Sequence, residues 1–262
     1  MGKVIWQSLE FNAEFNEMKD NFSNQAAEYA QFRPGYPAQL FDFLFEKCQN
    51  FDCAWDCATG NGQIAAVLAN RFRQVIATDI SENQLNNAIE KPNIQYQLSR
   101  AESPEFPDHS FDLVTVGQAA HWFDFAKFYA EVRRVLKPGG MLALVGYNLL
   151  KVDEQTEALI DQFYHTTLHG CWNVERDLVD AAYRTIPFPF EEIHFPEMAS
   201  TYNWTPDHLL GYLGTWSAVQ HFIRKNGQHP IDEEFIGQLK WAWPEEESRT
   251  VQFPIFARVG IR

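Results

Sequence analysis

Short apolar segments alternate with helical patterns between residues 53 and 146, and this alternation limits the fold more than any other feature. Nearly continuous apolar strands separated by helices are typical of parallel strands buried on both faces and joined by right-handed crossovers. We therefore predict an α/β fold, Rossmann-like and doubly wound, with a mostly parallel seven-stranded sheet. The first five predicted strands are Cys53–Cys57, Gln74–Asp79, Ile94–Leu98, Phe111–Gly117 and Met141–Gly146.

Helical patterns fill the gaps between these strands. The predicted helices are Gln63–Phe72, Glu82–Glu90 and Phe125–Leu136. Ser81 precedes the second helix, where its side chain can cap the free backbone amides. The segment 137–140, Lys-Pro-Gly-Gly, ends the third helix and leads into the fifth strand.

The pattern changes on both sides of this core. Prolines 34 and 37 divide a helical N-terminal region in two, and residues 150–186 are predicted to form two helices, the second near Val174–Thr185. The predicted domains are 1–50, an N-terminal helical segment; 51–149, the Rossmann-like core; 150–186, a helical insertion that can cover the strand ends; and 187–262, strands and helices that complete the sheet.

The last quarter of the chain combines strand and helix signals. We predict a strand at Phe190–Met198, one helix that begins at Thr205-Pro206-Asp207 with apolar residues in helical spacing as far as Phe222, and a helix at Ile231–Trp243. A terminal strand follows over residues 251–261, in which Pro254 is expected at a strand start or a bulge.

Composition argues against several classes of function. The chain has 21 Lys and Arg against 35 Asp and Glu, a formal charge of −14, which repels phosphate backbones and anionic lipid surfaces. No apolar run approaches the roughly 20 residues of a membrane span, and no apolar signal segment is seen. We expect a cytoplasmic protein, a monomer or homodimer, with reduced cysteines, no metal site, and no nucleic-acid or membrane partner.

A glycine loop follows the first predicted strand, over residues 56–63 with the sequence Asp-Cys-Ala-Thr-Gly-Asn-Gly-Gln. Glycines there allow a tight turn and a close approach of ligand to backbone. Asp79 ends the next strand 19 residues after Gly60, where a carboxylate can accept hydrogen bonds from a ribose. The combination predicts a nucleoside-containing ligand at the carboxyl ends of the strands.

Two kinds of nucleoside cofactor fit this loop. Gly60 and Gly62 followed by Ala65 match the dinucleotide fingerprint, so an NAD-dependent oxidoreductase is one alternative. Asp56, four residues before Gly60, favours a ligand with an ammonium group and disfavours a pyrophosphate. A non-catalytic, regulatory cofactor-binding module is a second alternative.

The segment Asp56–Gly62 resembles the D-x-G-x-G-x-G motif of class I S-adenosylmethionine-dependent methyltransferases, with Ala58 in place of the first glycine. The resemblance implies S-adenosyl-L-methionine as cofactor, S-adenosyl-L-homocysteine as product, and Asp56 near the methionine amino group. The further cofactor contacts that it implies are Ala58, Thr59, Gly60, Gly62, Gln63, Asp79, Ile80, Ala101, Glu102, Gly117 and Gln118.

The acceptor side is expected after the fourth strand. His121 could act as a general base or orient the acceptor, and the rings of Trp122 and Phe123 could stabilise a sulfonium cation. Trp172 and Trp216, from segments after the fifth strand, are further candidates for the substrate pocket. A hydroxyl acceptor would need a base, whereas a carboxylate would not.

A narrower resemblance extends over nearly the whole chain, to the trans-aconitate-methyltransferase-like (methyltransferase type 11) branch. It is carried by residues 22–37, by Tyr212-Leu213 and Trp216-Ser217-Ala218, and by the segment 253–260. The resemblance implies an N-terminal segment that covers the cofactor, with Tyr29 and Arg33 as contacts, and in-line methyl transfer to a small molecule, for which a carboxylic acid is one candidate. Arg33 and Arg100 could hold an acidic acceptor by bidentate contacts.

Overall fold

In the computed structural model the first four strands have the predicted bounds, whereas the fifth begins at Leu136, five residues before the predicted start, and so includes the 137–140 segment. The structure describes residues 32–262, so the predicted contact Tyr29 and the first part of the N-terminal helical region lie outside the described residues. The strands are β1 (Cys53–Cys57), β2 (Gln74–Asp79), β3 (Ile94–Leu98), β4 (Phe111–Gly117), β5 (Leu136–Tyr147), β6 (Glu191–Ile193), β7 (Met198–Trp204) and β8 (Arg249–Ile261).

These strands form one mixed sheet in the order β3-β2-β1-β4-β5-β8-β6, with β7 also paired to β8. The pairs within β1 to β5 are parallel, whereas β8 is antiparallel to β5, β6 and β7. Strand order reverses between β1 and β4, which is where doubly wound sheets open a crevice for a ligand. The predicted fold class is confirmed.

Helices cover both faces of the sheet, as near-continuous apolar strands require. In β4, Leu113 packs in one apolar cluster with Leu40 and Leu68, and its neighbour Val114 packs in the other with Phe128. The helices are α1 (Ala38–Lys47), α2 (Gln63–Leu68), α3 (Glu82–Asn86), α4 (Phe125–Val135), α5 (Glu154–Gln162), α6 (Arg176–Asp180), α7 (Pro206–Gly214), α8 (Ser217–Asn226) and α9 (Glu233–Ala242).

The predicted strand Phe190–Met198 is wrong in its extent, and within residues 32–262 the sheet has eight strands, not the predicted seven. This segment contains only the short β6, and the chain then enters β7 at Met198. The strands pair with different parts of β8, β6 with its C-terminal end and β7 with its N-terminal half. The long β8 strand therefore pairs with two strands, β6 and β7, whereas the sequence pattern of this region predicted a single strand.

The long helix predicted from Pro206 to Phe222 is also wrong, because it is interrupted at Thr215 and Trp216. Trp216 has extended backbone angles (φ −70°, ψ 134°) between α7 and α8. The Arg33 guanidinium stabilises the chain where the helix is interrupted. Its Nη2 donates to the Thr215 carbonyl at 3.0 Å, and its Nε donates to the Thr215 hydroxyl at 3.0 Å. A partner 182 residues away thus compensates the interrupted helix.

Other boundaries differ by a few residues. The helices after β1 and β2 end at Leu68 and Asn86, earlier than predicted, and the second helix of the 150–186 segment shortens to α6. Pro254 lies inside β8, opposite Ala199 of β7, and not at a strand start. No helix within residues 32–262 is long and apolar enough to cross a membrane.

Candidate functional site

A cavity of about 410 Å³ opens at the carboxyl ends of β1, β2 and β4, beside the point where strand order reverses. Its walls come from the glycine loop, from the end of β2, from the segment before β4 and from the turn after β4. Parallel strands bring these distant segments to one edge of the sheet. Of the predicted cofactor contacts, those that line this larger cavity are Arg33, Asp56, Ala58, Thr59, Gly60, Gln63, Asp79, Ile80, Ala101, Glu102, Gly117 and Gln118.

The glycine loop makes its turn through three left-handed residues. Ala58, Gly60 and Gly62 have φ of 54°, 56° and 81°. Gly62 does not line the cavity; it precedes the first residue of α2, and a Cβ there would collide with the Tyr96 hydroxyl. Gly62 therefore serves the loop through backbone conformation and close packing.

The carboxylate of Asp79 joins two loops across the site. Its Oδ2 accepts the Gly60 amide at 2.8 Å, and its Oδ1 accepts the Ser81 amide at 2.9 Å. Asp79 thus holds the glycine loop against the end of β2 while its side chain lines the cavity. Each carboxylate oxygen has more than one acceptor position, so the group can still accept from a ligand.

Asp56 is the other carboxylate at this edge, and it is 1% exposed. Its oxygens accept from the Thr115 hydroxyl at 2.8 Å, the Ala65 amide at 3.0 Å and the Thr59 hydroxyl. Burial raises the pKa of Asp56 to about 6, and the charge of Asp79 adds to the increase, although the three donors oppose it. Asp56 is therefore a buried acid whose ionised form a cationic ligand would favour.

Glu102 holds the segment before β4 against the turn after it. Its Oε1 accepts the Asp124 amide at 3.1 Å, and its Oε2 lies 3.7 Å from Arg100 Nε. Arg100 is paired with Glu102 and lines neither cavity, so its predicted contact with an acidic acceptor gains no support from these cavities.

Gln118 is the first residue after β4, and it lines both cavities. Its backbone is left-handed (φ 49°), and its side-chain amide accepts from the Tyr147 N–H at 2.9 Å and donates to the Tyr147 carbonyl at 3.2 Å. The side chain thus pairs with β5 as a neighbouring strand would. Local sequence gives no sign of this contact, because β5 ends 29 residues later.

A second cavity of about 50 Å³ adjoins the first and shares Arg33, Gln118 and Trp122 with it. Among the predicted acceptor-side residues, Trp122 and Phe123 line the larger cavity, whereas His121, Trp172 and Trp216 line the smaller one. Residues that line the cavities but were not among the predicted site residues are Pro34, Tyr36, Asn61, Ile64, Ser81, Gln84, Ser99, Ala119, Tyr147 and Glu175 in the larger cavity and Asn173, Arg176 and Ser217 in the smaller one.

His121 lies in the smaller cavity with its Nδ1 3.0 Å from the Tyr183 hydroxyl. Burial lowers the pKa of His121 to about 3, and the charge of Arg176 lowers it further. The imidazole is therefore neutral near pH 7 and a weak proton acceptor. Of the two roles predicted for His121, this lowered pKa favours orientation of a ligand over general-base catalysis.

Arg33 lies between the two cavities and is held by the C-terminal part of the chain. Besides its two bonds to Thr215, its Nη1 donates to the Tyr147 hydroxyl at 3.1 Å. Its guanidinium thus connects the entry to α1 with β5 and the α7–α8 break. Within residues 32–262, no group of three His, Cys, Asp or Glu side chains is arranged to hold a metal ion.

Comparisons with known proteins agree with the resemblance of the glycine loop to methyltransferases. Residues 55–144 match the family described as the methyltransferase domain. A Dictyostelium discoideum protein named as a proposed methyltransferase is 31% identical over 244 residues, which are 90% of this chain and 93% of that protein. A solved structure of a proposed type II methyltransferase from Anaeromyxobacter dehalogenans is 41% identical, covers 88% of this chain and 98% of its own, and superimposes with a TM-score of 0.81.

The left-handed conformation of Ala58 leads to a stability prediction. An alanine there is strained by about 1–2 kcal/mol, and glycine relieves the strain at a cost of about 0.4–1 kcal/mol in unfolded-chain entropy. We expect Ala58→Gly to raise the free energy of unfolding by about 0.5 kcal/mol in urea titrations. Ala69→Gly is the matched control, because Ala69 has right-handed angles (φ −62°) and should lose stability. A loss of stability in Ala58→Gly would contradict the assigned loop conformation.

Proposed function

The chain belongs to the class I S-adenosylmethionine-dependent methyltransferases, and we propose that its larger cavity binds the cofactor while the smaller cavity receives part of a small-molecule acceptor. The observation that carries this proposal is the pair of carboxylates at the ends of adjacent strands, Asp56 and Asp79, which line one cavity. Acids at both positions suit a ligand with ribose hydroxyls and an ammonium group.

The residues around the larger cavity fit S-adenosylmethionine better than a dinucleotide. Asp79 can accept from ribose hydroxyls, and the ionised form of Asp56 would be stabilised by the ligand's ammonium group. Glu102 extends the acidic lining toward the segment that the family resemblance assigns to the adenine. A pyrophosphate would bring negative charge to the same edge, so the oxidoreductase alternative is disfavoured.

When bound, S-adenosylmethionine supplies a methyl group on a positively charged sulfur and leaves as the neutral thioether S-adenosylhomocysteine. The chain's own contribution is to bind, orient and exclude water. The rings of Trp122 and Phe123 line the cavity, where a cation–π contact can contribute about 0.5–2 kcal/mol. Glu175, Trp172 and Asn173 support a covering role for the 150–186 segment, because all three line one cavity or the other.

We propose a carboxylic acid as the acceptor, as in the trans-aconitate-methyltransferase-like branch. A carboxylate oxygen can form the new C–O bond without losing a proton, so the reaction needs no general base. His121 supports this choice, because an imidazole with a pKa of about 3 cannot remove a proton from a hydroxyl near pH 7. Orientation of the acceptor is the role that remains for it.

Binding and turnover measurements test the proposed function directly. Calorimetry should detect S-adenosylhomocysteine binding and no NADH binding. Radiolabelled methyl transfer from S-adenosylmethionine to a panel of carboxylic acids should yield methyl esters. Binding without transfer across a broad panel of acids, alcohols and amines would favour the regulatory module, and NADH binding would favour the oxidoreductase.

Asp79→Ala should weaken S-adenosylhomocysteine binding by about 1–3 kcal/mol, the range for a lost buried hydrogen-bonding partner. The variant loses both the ribose acceptor and the bond to Gly60. Asp42→Asn, on the exposed side of α1, is the control and should bind as the unaltered protein does. Unchanged affinity in folded Asp79→Ala would remove Asp79 from the site.

The raised pKa of Asp56 predicts a pH-dependent affinity. An ammonium ligand favours the carboxylate, so binding below pH 6 must displace a proton and affinity should fall as pH drops through about 6. The limiting slope is about tenfold per pH unit for one proton. Calorimetry with 5′-methylthioadenosine, which lacks the amino acid part, is the control and should give a flatter profile. Equal slopes for the two ligands would rule out the assigned partner of Asp56.

A further inference from the structure

We infer that the smaller cavity is an anion-binding subsite, built by Arg176, Asn173 and His121, for a carboxylate group of the acceptor. The inference rests on the proposed function, since it takes this cavity as the acceptor side. Its basis is the character of the lining, which consists of hydrogen-bond donors, aromatic rings and two arginines.

The charge of this lining is unusual for the molecule. Arg33 and Arg176 both line the smaller cavity, and the described residues around it include no Asp or Glu. The whole chain carries a formal charge of −14. Arg176 is ion-paired with Asp180, which lies outside the lining, so the walls of this space of about 50 Å³ present two guanidinium groups and no acid to an anion.

Arg176 is held so that its outer nitrogens stay available. Its Nε donates to the Tyr164 hydroxyl at 2.8 Å and to Asp180 Oδ1 at 3.0 Å, and these are the hydrogen bonds of its side chain within the described residues. The guanidinium also lies 5.1 Å from the centre of the Trp172 ring. These contacts fix the guanidinium through its Nε atom and through its plane. Both Nη atoms remain available to a ligand, and this geometry suits bidentate binding of a carboxylate.

Asn173 gives independent support for a ligand site. Its Nδ2 is buried and has no hydrogen-bond partner among residues 32–262, although the side chain lines the smaller cavity. A buried amide donor left without an acceptor costs about 1–3 kcal/mol. An acceptor oxygen on a bound ligand would remove that cost, and a carboxylate offers two such oxygens to Asn173 and Arg176 together.

His121 completes the donor set through its tautomer. The Tyr183 hydroxyl lies 3.0 Å from His121 Nδ1 and can donate its proton to that nitrogen. The imidazole proton then resides on Nε2, and the neutral ring acts as a donor. His121 therefore presents a hydrogen-bond donor to the cavity.

The bound carboxylate differs from the group that is methylated. A carboxylate paired with a guanidinium has its negative charge stabilised by two hydrogen bonds, and this weakens it as a nucleophile. The subsite thus anchors one acidic group of the acceptor, while the reacting oxygen lies toward the larger cavity. Its selectivity should be for acids over their uncharged amides.

Acetate is the probe for this subsite, and NMR of ¹³C-labelled acetate measures its affinity with and without saturating S-adenosylhomocysteine. We expect millimolar binding, a shift of the His121 imidazole signals on titration, and no binding of acetamide. Inorganic phosphate is a second probe, and tighter binding of phosphate would overturn the assignment to a carboxylate.

Arg176→Gln should weaken acetate binding at least tenfold, whereas Arg184→Gln, at an exposed arginine of the same segment, should leave it unchanged. Asn173→Ala should weaken it at least threefold and leaves the Arg176–Tyr164–Asp180 contacts intact, so it serves if Arg176→Gln disturbs folding. S-adenosylhomocysteine affinity should stay within about twofold in every variant, because Arg176 does not line the larger cavity.

The outcomes separate this inference from the proposed function. Equal acetate affinity in the unaltered protein and in both cavity variants, or binding of acetamide as strong as that of acetate, would overturn the subsite. If S-adenosylhomocysteine still binds in that case, the proposed function stands. Absence of S-adenosylhomocysteine binding would instead overturn the proposed function, whatever acetate does.

Discussion

The hydrogen bond from the Gly60 amide to the Asp79 carboxylate is the constraint on which the larger cavity depends. Parallel pairing places Cys57 beside Thr78, and the Thr59 amide donates to the Thr78 carbonyl at 2.9 Å, so the glycine loop leaves β1 along the end of β2. Asp79 then fixes the loop at Gly60. Without this bond, three left-handed residues in five would leave the loop with many alternative conformations.

Charge divides the site into two parts. The larger cavity is lined by four acids, Asp56, Asp79, Glu102 and Glu175, whereas the smaller one is lined by Arg176, with Arg33 at their boundary. A cationic cofactor and an anionic acceptor would each meet the opposite charge. Under the proposed function, the local lining would attract an acidic acceptor despite the net negative charge of the protein, because salt screens distant charges more than near ones.

Contacts distant in sequence connect the site to the C-terminal part of the fold. Arg33 holds the break between α7 and α8 and also binds the Tyr147 hydroxyl, while Gln118 pairs with the Tyr147 backbone. Tyr147 thus links the N-terminal entry, β5 and the turn after β4. Changes in the 215–217 region can reach the cavities through this small set of hydrogen bonds.

The amino-acid sequence alone determined the parallel core, the glycine loop and the acid at the end of β2. These features depend on strand burial, turn conformation and short spacing, which are set by residues close together in the chain. Alternation could not show that the 190–204 region forms two strands, since the length of β8 that pairs with them depends on distant partners. It also could not identify Arg176, because an arginine in a helical segment has the same pattern whether it faces solvent or a cavity. Only the packing of the 150–186 segment against the strand ends brought Arg176, Asn173 and His121 around one space, and desolvation there made the histidine neutral.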